Sequence, residues 1–85
     1  MNTDVYEQVL TIVRRVARKP AADPVASFEQ LGVGSLELVQ IVELVRSECG
    51  ANVWIDDAFD AADVASFAQL AADRAHTGVD GDVRA

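Results

Sequence analysis

Ser35 stands in Leu31-Gly32-Val33-Gly34-Ser35-Leu36-Glu37-Leu38-Val39, where a glycine-containing turn hands a serine to the start of an apolar helical run. The N-terminus of such a helix carries unpaired N–H groups and partial positive charge, so a phosphate esterified to the hydroxyl would sit in a favourable field. Nucleophilic catalysis asks for more: a base within reach and a third group to orient that base. The only histidine, His76, and the only cysteine, Cys49, supply no evident triad for either nucleophile. These residue types point to a serine that is modified, not one that cleaves bonds. Serine is also among the best helix N-caps, and an isolated Gly-Ser-Leu is explained by capping alone.

The elements that must position this serine follow from periodicity. Val5, Val9, Val13 and Val16 recur at helical spacing with Leu10 and Ala17 widening the stripe, so a first helix is expected to start at Asp4, with Glu7 completing a capping box, and to end at Lys19 before Pro20. Residues 20–34 are then a long loop. Within it Ser27-Phe28-Glu29-Gln30 is a second capping-box match, predicting a short turn through which Phe28 and Leu31 pin the loop, closed by Gly32. A second helix is predicted from Ser35 to Cys49 with Gly50 as its stop; Leu38, Ile41, Val42, Val45 and Cys49 form its inner stripe. Leu36 and Val39 lie outside that stripe, beside Gln40 and Glu43.

A brief third helix is expected over Asp56–Asp60, and a fourth opening at Val64 with Asp63 as its cap and Val64, Phe67, Ala68, Ala71 and Ala75 facing inward. Phe28, Phe59 and Phe67 fit a core pattern, and Trp54 fits a loop staple. Residues 77–85 lack periodicity and are expected to be a disordered tail after a domain spanning 1–76. The fold class is therefore all-α: a small four-helix bundle with a long loop between helices one and two and a short third helix.

Composition narrows the functions. Eighty-five residues make one small domain, and a net charge of −7 disfavours a phosphate backbone as partner while favouring basic protein surfaces. Arg14, Arg15, Arg18 and Lys19 gather at the end of the first helix, where they complement its dipole. The single cysteine excludes a disulfide framework, and no signal-like or membrane-length apolar run is seen, so a cytoplasmic monomer is expected. Asp56, Asp57, Asp60 and Asp63 lack the ligand alternation and glycine of a calcium loop, and one cysteine with one histidine makes zinc improbable; no metal is expected.

Ser27-Phe28-Glu29-Gln30-Leu31-Gly32, Ser35-Leu36-Glu37-Leu38-Val39, Ile55-Asp56-Asp57-Ala58-Phe59 and Val64-Ala65-Ser66-Phe67, at their mutual spacing, resemble the acyl carrier protein and carrier-domain family over about residues 5–76. The resemblance implies a carrier, not an enzyme. A phosphopantetheinyl transferase would move 4′-phosphopantetheine from coenzyme A onto Ser35, and the arm's thiol would hold an acyl thioester. Acyltransferase, ketosynthase or other acyl-processing enzymes are the implied partners, reading Gly34, Leu36, Val39, Gln40 and Glu43, with Asp56 and Asp57. The family's usual Asp-Ser-Leu is Gly34-Ser35-Leu36 here, which removes a carboxylate from the transferase's view, and Glu43 occupies a position where carriers often show an apolar contact. A freestanding carrier of polyketide or fatty-acid type is the leading expectation. A peptidyl or aminoacyl carrier of nonribosomal synthesis shares the fold and cofactor. An unmodified helical interaction module, in which Ser35 only caps, is the rival of another class.

Overall fold

The computed structural model describes the backbone of residues 2–84 and the side chains of residues 5–75. Four helices are present among the described residues: α1 (Asn2–Ala17), α2 (Ser35–Cys49), α3 (Ile55–Asp60) and α4 (Val64–Arg84). α1 packs against both α2 and α4, and α3 against α2, so the chain is an all-α bundle with a long α1–α2 loop and a short third helix, as its periodicity predicts. The expected tail from Thr77 falls on residues whose side chains lie outside those described, as does His76.

α1 differs from the sequence expectation at both ends. It begins at Asn2, ahead of the Asp4-to-Glu7 box, and it stops at Ala17, two residues before Lys19. The early stop has a backbone cause. Arg18 takes a left-handed conformation with φ 60°, and the N–H groups of Arg18 and Lys19 bond the carbonyls of Arg15 and Arg14 at 3.2 and 3.0 Å. That is a Schellman closure, built on an arginine where glycine is the usual residue.

The core is a continuous apolar cluster. Val9, Leu10, Ile12 and Val13 of α1 meet Leu38, Ile41, Val42 and Val45 of α2 and Val64, Phe67, Ala68 and Ala71 of α4. Val5, Val16 and Ala17 pack partly against the same cluster, so the buried stripe of α1 runs along the valine series, deepest at Val9 and Val13, with Leu10 and Ile12 flanking it. Phe67 is fully buried, which contributes roughly 3 kcal/mol. Its ring meets Phe28 edge to face at 5.7 Å and 74°, a favoured aromatic geometry, and this contact draws the loop onto the bundle.

The loop over residues 18–34 is fastened along its length. Arg14 donates from Nε and Nη2 to the carbonyl of Ala22 at 3.1 and 3.0 Å. The first N–H groups of α4, which have no partner within their own helix, reach back to the loop: Val64 to the carbonyl of Ala26 at 3.0 Å and Ala65 to that of Pro24 at 2.8 Å. The Ser27 box is complete, with Gln30 N–H donating to Ser27 Oγ at 3.0 Å and Ser27 N–H to Gln30 Oε1 at 2.9 Å. Gly32, with φ 75°, closes that turn, and Phe28 and Leu31 are buried beneath it.

Candidate functional site

Ser35 is the first helical residue of α2, and Gly34, not Ser35, holds the N-cap position. The carbonyl of Gly34 accepts the first helical hydrogen bond from Leu38 N–H at 2.9 Å, and Glu37 turns back so that Oε1 accepts Gly34 N–H at 3.0 Å. This half of a capping box settles the entry into the helix without the serine hydroxyl. Among the described residues Ser35 Oγ takes part in no hydrogen bond, and the residue is exposed. Capping therefore does not account for the serine.

The backbone at Gly34 does not require glycine. Its φ of −88° and ψ of −176° are open to any residue; the left-handed glycine of this segment is Gly32. A Cβ there would lie 3.0 Å from Glu37 Oε1, so a side chain at position 34 would make the flexible end of Glu37 give by a few tenths of an ångström.

Around Ser35 the surface is apolar with an acidic border. Leu36 is 70% exposed and Val39 44%, both off the buried face of α2, and Gln40 and Glu43 are exposed next to them. Leu38, Ile41, Val42 and Val45 are buried as predicted, and Cys49 is half-buried. Burial, followed by the neighbouring Glu48 carboxylate, raises the Cys49 thiol above its ordinary range, which keeps it a neutral thiol.

The aspartates separate into different roles. Asp56 is exposed. Asp57 Oδ2 accepts Arg74 Nη1 at 2.8 Å and Trp54 N–H at 2.8 Å, bracing the start of α3 against α4. Asp63 Oδ1 accepts Ser66 N–H at 2.8 Å, the cap expected for α4, and that bond lowers its pKa below the ordinary carboxylate range. Among the described residues no three histidine, cysteine, aspartate or glutamate side chains gather as metal ligands. No described helix is long and apolar enough to cross a membrane.

One of the two exposed aromatic residues, Phe59, falls elsewhere than the sequence suggests, while Trp54 staples the segment before α3 from the surface. Trp54 is 51% exposed and the Arg46 guanidinium lies over its ring at 4.0 Å, a cation–π contact joining the last turn of α2 to the approach to α3. Phe59, expected in the core, is 60% exposed. It lines a groove of about 440 Å³ between the loop and α3 whose walls include Phe28, Val33, Leu38, Ala61 and Ser35 itself. A signal for this was present: Ile55 and Ala58, three apart, define the inner side of α3, and Phe59 is turned about 100° from Ala58.

The described residues thus combine a buried helical frame with an exposed serine that makes no hydrogen bond and a partly exposed apolar surface beside it. The sequence matches the phosphopantetheine attachment site family over residues 7–71, most of the chain, and the chain belongs to that family. It is a carrier that bears 4′-phosphopantetheine, is modified by phosphopantetheinyl transferases, serves partner enzymes and is not itself a catalyst. No curated protein and no solved structure matches the chain at a significant level.

Proposed function

We propose that Ser35 is the attachment residue and that the chain is an acyl carrier protein of polyketide or fatty-acid type. The observation that carries the first part is the free, exposed Ser35 hydroxyl at the N-terminus of α2. The N–H groups of Ser35, Leu36 and Glu37 are the orphan donors of that helix end, and Gly34 N–H is already engaged by Glu37. A phosphodiester on Oγ meets this donor-rich, positively polarised end, while the rest of the arm extends over the apolar rim. The arm supplies a thiol for thioester chemistry; the chain supplies its mounting.

The acyl reading is supported by Leu31-Gly32-Val33 before the serine and by the acidic balance of the chain. Leu36 and Val39 offer partner enzymes an apolar contact within reach of Ser35, and Gln40, Glu43 and Asp56 offer polar and anionic contacts for basic rims. Gly34 completes that surface without charge. Asp57 enters recognition through the placement of α3, since its carboxylate is engaged by Arg74.

The test is modification followed by loading. Purified chain is incubated with coenzyme A, magnesium and a broad-specificity phosphopantetheinyl transferase, beside Ser35→Ala, and intact and peptide masses are taken. One phosphopantetheine on the Ser35 peptide is expected, and none on the variant, whose stability should stay within about 0.5 kcal/mol of the parent because Oγ makes no bond. Modification at another residue overturns the site. The holo chain is then offered malonyl-transferring and amino-acid-adenylating enzymes; loading only by the latter replaces the acyl reading with a peptidyl one.

A further inference from the structure

The groove beside Ser35 and the exposed ring of Phe59 are left unexplained by the bundle's stability. A large aromatic ring that is 60% exposed on a six-residue helix adds little to the core and leaves apolar area in water. α3 has its own reasons for standing where it does: Ile55 and Ala58 pack inward, and Asp57 is bound by Arg74 and by Trp54 N–H. Phe59 is thus held on a braced element and lines a groove that Ser35 also lines.

Resting on the reading of Ser35 as the attachment residue, we propose that Phe59 is a positioning residue for the phosphopantetheine arm, holding it in the groove between the loop and α3. Three observations on this chain converge. The groove is continuous with Ser35, so an arm on Oγ starts inside it and binds with the high effective concentration of a tethered group. Its lining is mixed, and within it Val33 and above all the exposed Phe59 ring, backed by the buried Phe28 and Leu38, offer the apolar surface that suits the gem-dimethyl portion of the arm. Ser27 and Glu29, which also line the groove, offer a hydroxyl and a carboxylate to the two amides. The ring would act as a retaining edge, and a partner that draws the arm out would expose Phe59 as it does so.

The test uses holo chain made by the transferase reaction, with attachment first confirmed by mass, in wild type, Phe59→Ala and Phe59→Leu. Nuclear Overhauser contacts between the gem-dimethyl protons and the Phe59 ring are sought, with amide shift differences between apo and holo forms. The expected result is ring contacts in the wild type and apo-to-holo shifts at Val33, Leu38 and Ala61, and it is these shifts that fall to less than half in Phe59→Ala and are largely restored in Phe59→Leu. Alkylation of the arm's thiol by a bulky maleimide should be about threefold faster in Phe59→Ala, the factor expected from losing a partial apolar contact. Shifts confined to Gly34–Leu36, with no ring contact and equal alkylation rates, overturn the proposal while leaving Ser35 as the attachment site. Absence of the mass addition would instead sink the reading on which it rests. Because the ring is exposed, Phe59→Ala is expected to fold, and its circular dichroism melt provides the control.

Discussion

Removing the Arg74 to Asp57 brace tests how α3 is held. Asp57 Oδ2 accepts two hydrogen bonds, from Arg74 Nη1 and from Trp54 N–H, each 2.8 Å long, while Arg74 Nη1 also donates to the carbonyl of Asn52 at 3.1 Å. The Arg74 and Asp57 side chains are 37% and 19% exposed, so solvent screens the pair only in part. Exposed ion pairs contribute about 0.2–1 kcal/mol and well-shielded charged hydrogen bonds about 1.5–3, which places this pair near 1 kcal/mol of coupling. Asp57→Ala also orphans Trp54 N–H and removes an anion from the first turn of α3, for a loss of about 2 kcal/mol in all. In a domain of this size that lowers Tm by roughly 8–16 °C. Urea unfolding of the parent, Asp57→Ala, Arg74→Ala and the double variant measures the coupling directly, and it should shrink in 1 M salt. Coupling below about 0.3 kcal/mol, the ordinary error of additivity, would refute the brace and assign the holding of α3 to Ile55 and Ala58 alone.

Two further outcomes follow from backbone and charge. Arg18→Gly should stabilise the chain by about 0.5–1 kcal/mol, because Arg18 sits at φ 60° where a Cβ is strained, whereas Arg18→Ala should bring no such gain; equal denaturant midpoints for the two variants would contradict this. Asp63 titrates below its ordinary 3.8 because it accepts Ser66 N–H, so its stabilising contribution is complete above that value and disappears as pH falls through the lowered one. Asp63→Asn keeps the acceptor without the titration, and its Tm should decline less than the parent's on acidification from about pH 4 to 2. Superimposable acid limbs would remove Asp63 from the acid sensitivity of the fold.

What the sequence made legible were features with local causes. The stop of α2 at Gly50 is a left-handed glycine, the Asp63 cap and the Ser27 box are contacts across three residues, and the inner stripe of α2 spans about three turns, long enough for a 3.6-residue period to be unambiguous. Ser35 stood out for the same reason, and its distinction from a cap became visible only when Gly34 was seen to hold that position. Features with distant or very short causes were not legible. A six-residue helix gives the period less than two turns, so the spacing of Ile55 and Ala58 that turns Phe59 outward was a weak signal beside the hydrophobicity of the ring. The Arg74 brace, the Arg46 to Trp54 stack and the Arg14 grip on Ala22 join residues whose proximity depends on the folded path. The early end of α1 rests on an arginine in a conformation that its side chain disfavours, which composition does not announce.

The two backbone bonds from Val64 and Ala65 to the loop have a consequence in time. The segment that mounts Ser35 is fastened by the first turn of the last helix, so the mount is completed only after the chain has closed back across some forty residues. During synthesis Ser35 leaves the ribosome well before α4 does, and until α4 docks it belongs to a loop with half of its moorings. With attachment at Ser35 as proposed, a transferase that recognises the assembled turn would discriminate by maturity: nascent, truncated or nicked chains present the same nine residues around the serine without the surface that displays them. The modification would thus mark chains that have finished folding, and the arm would be committed only to carriers able to hold it out.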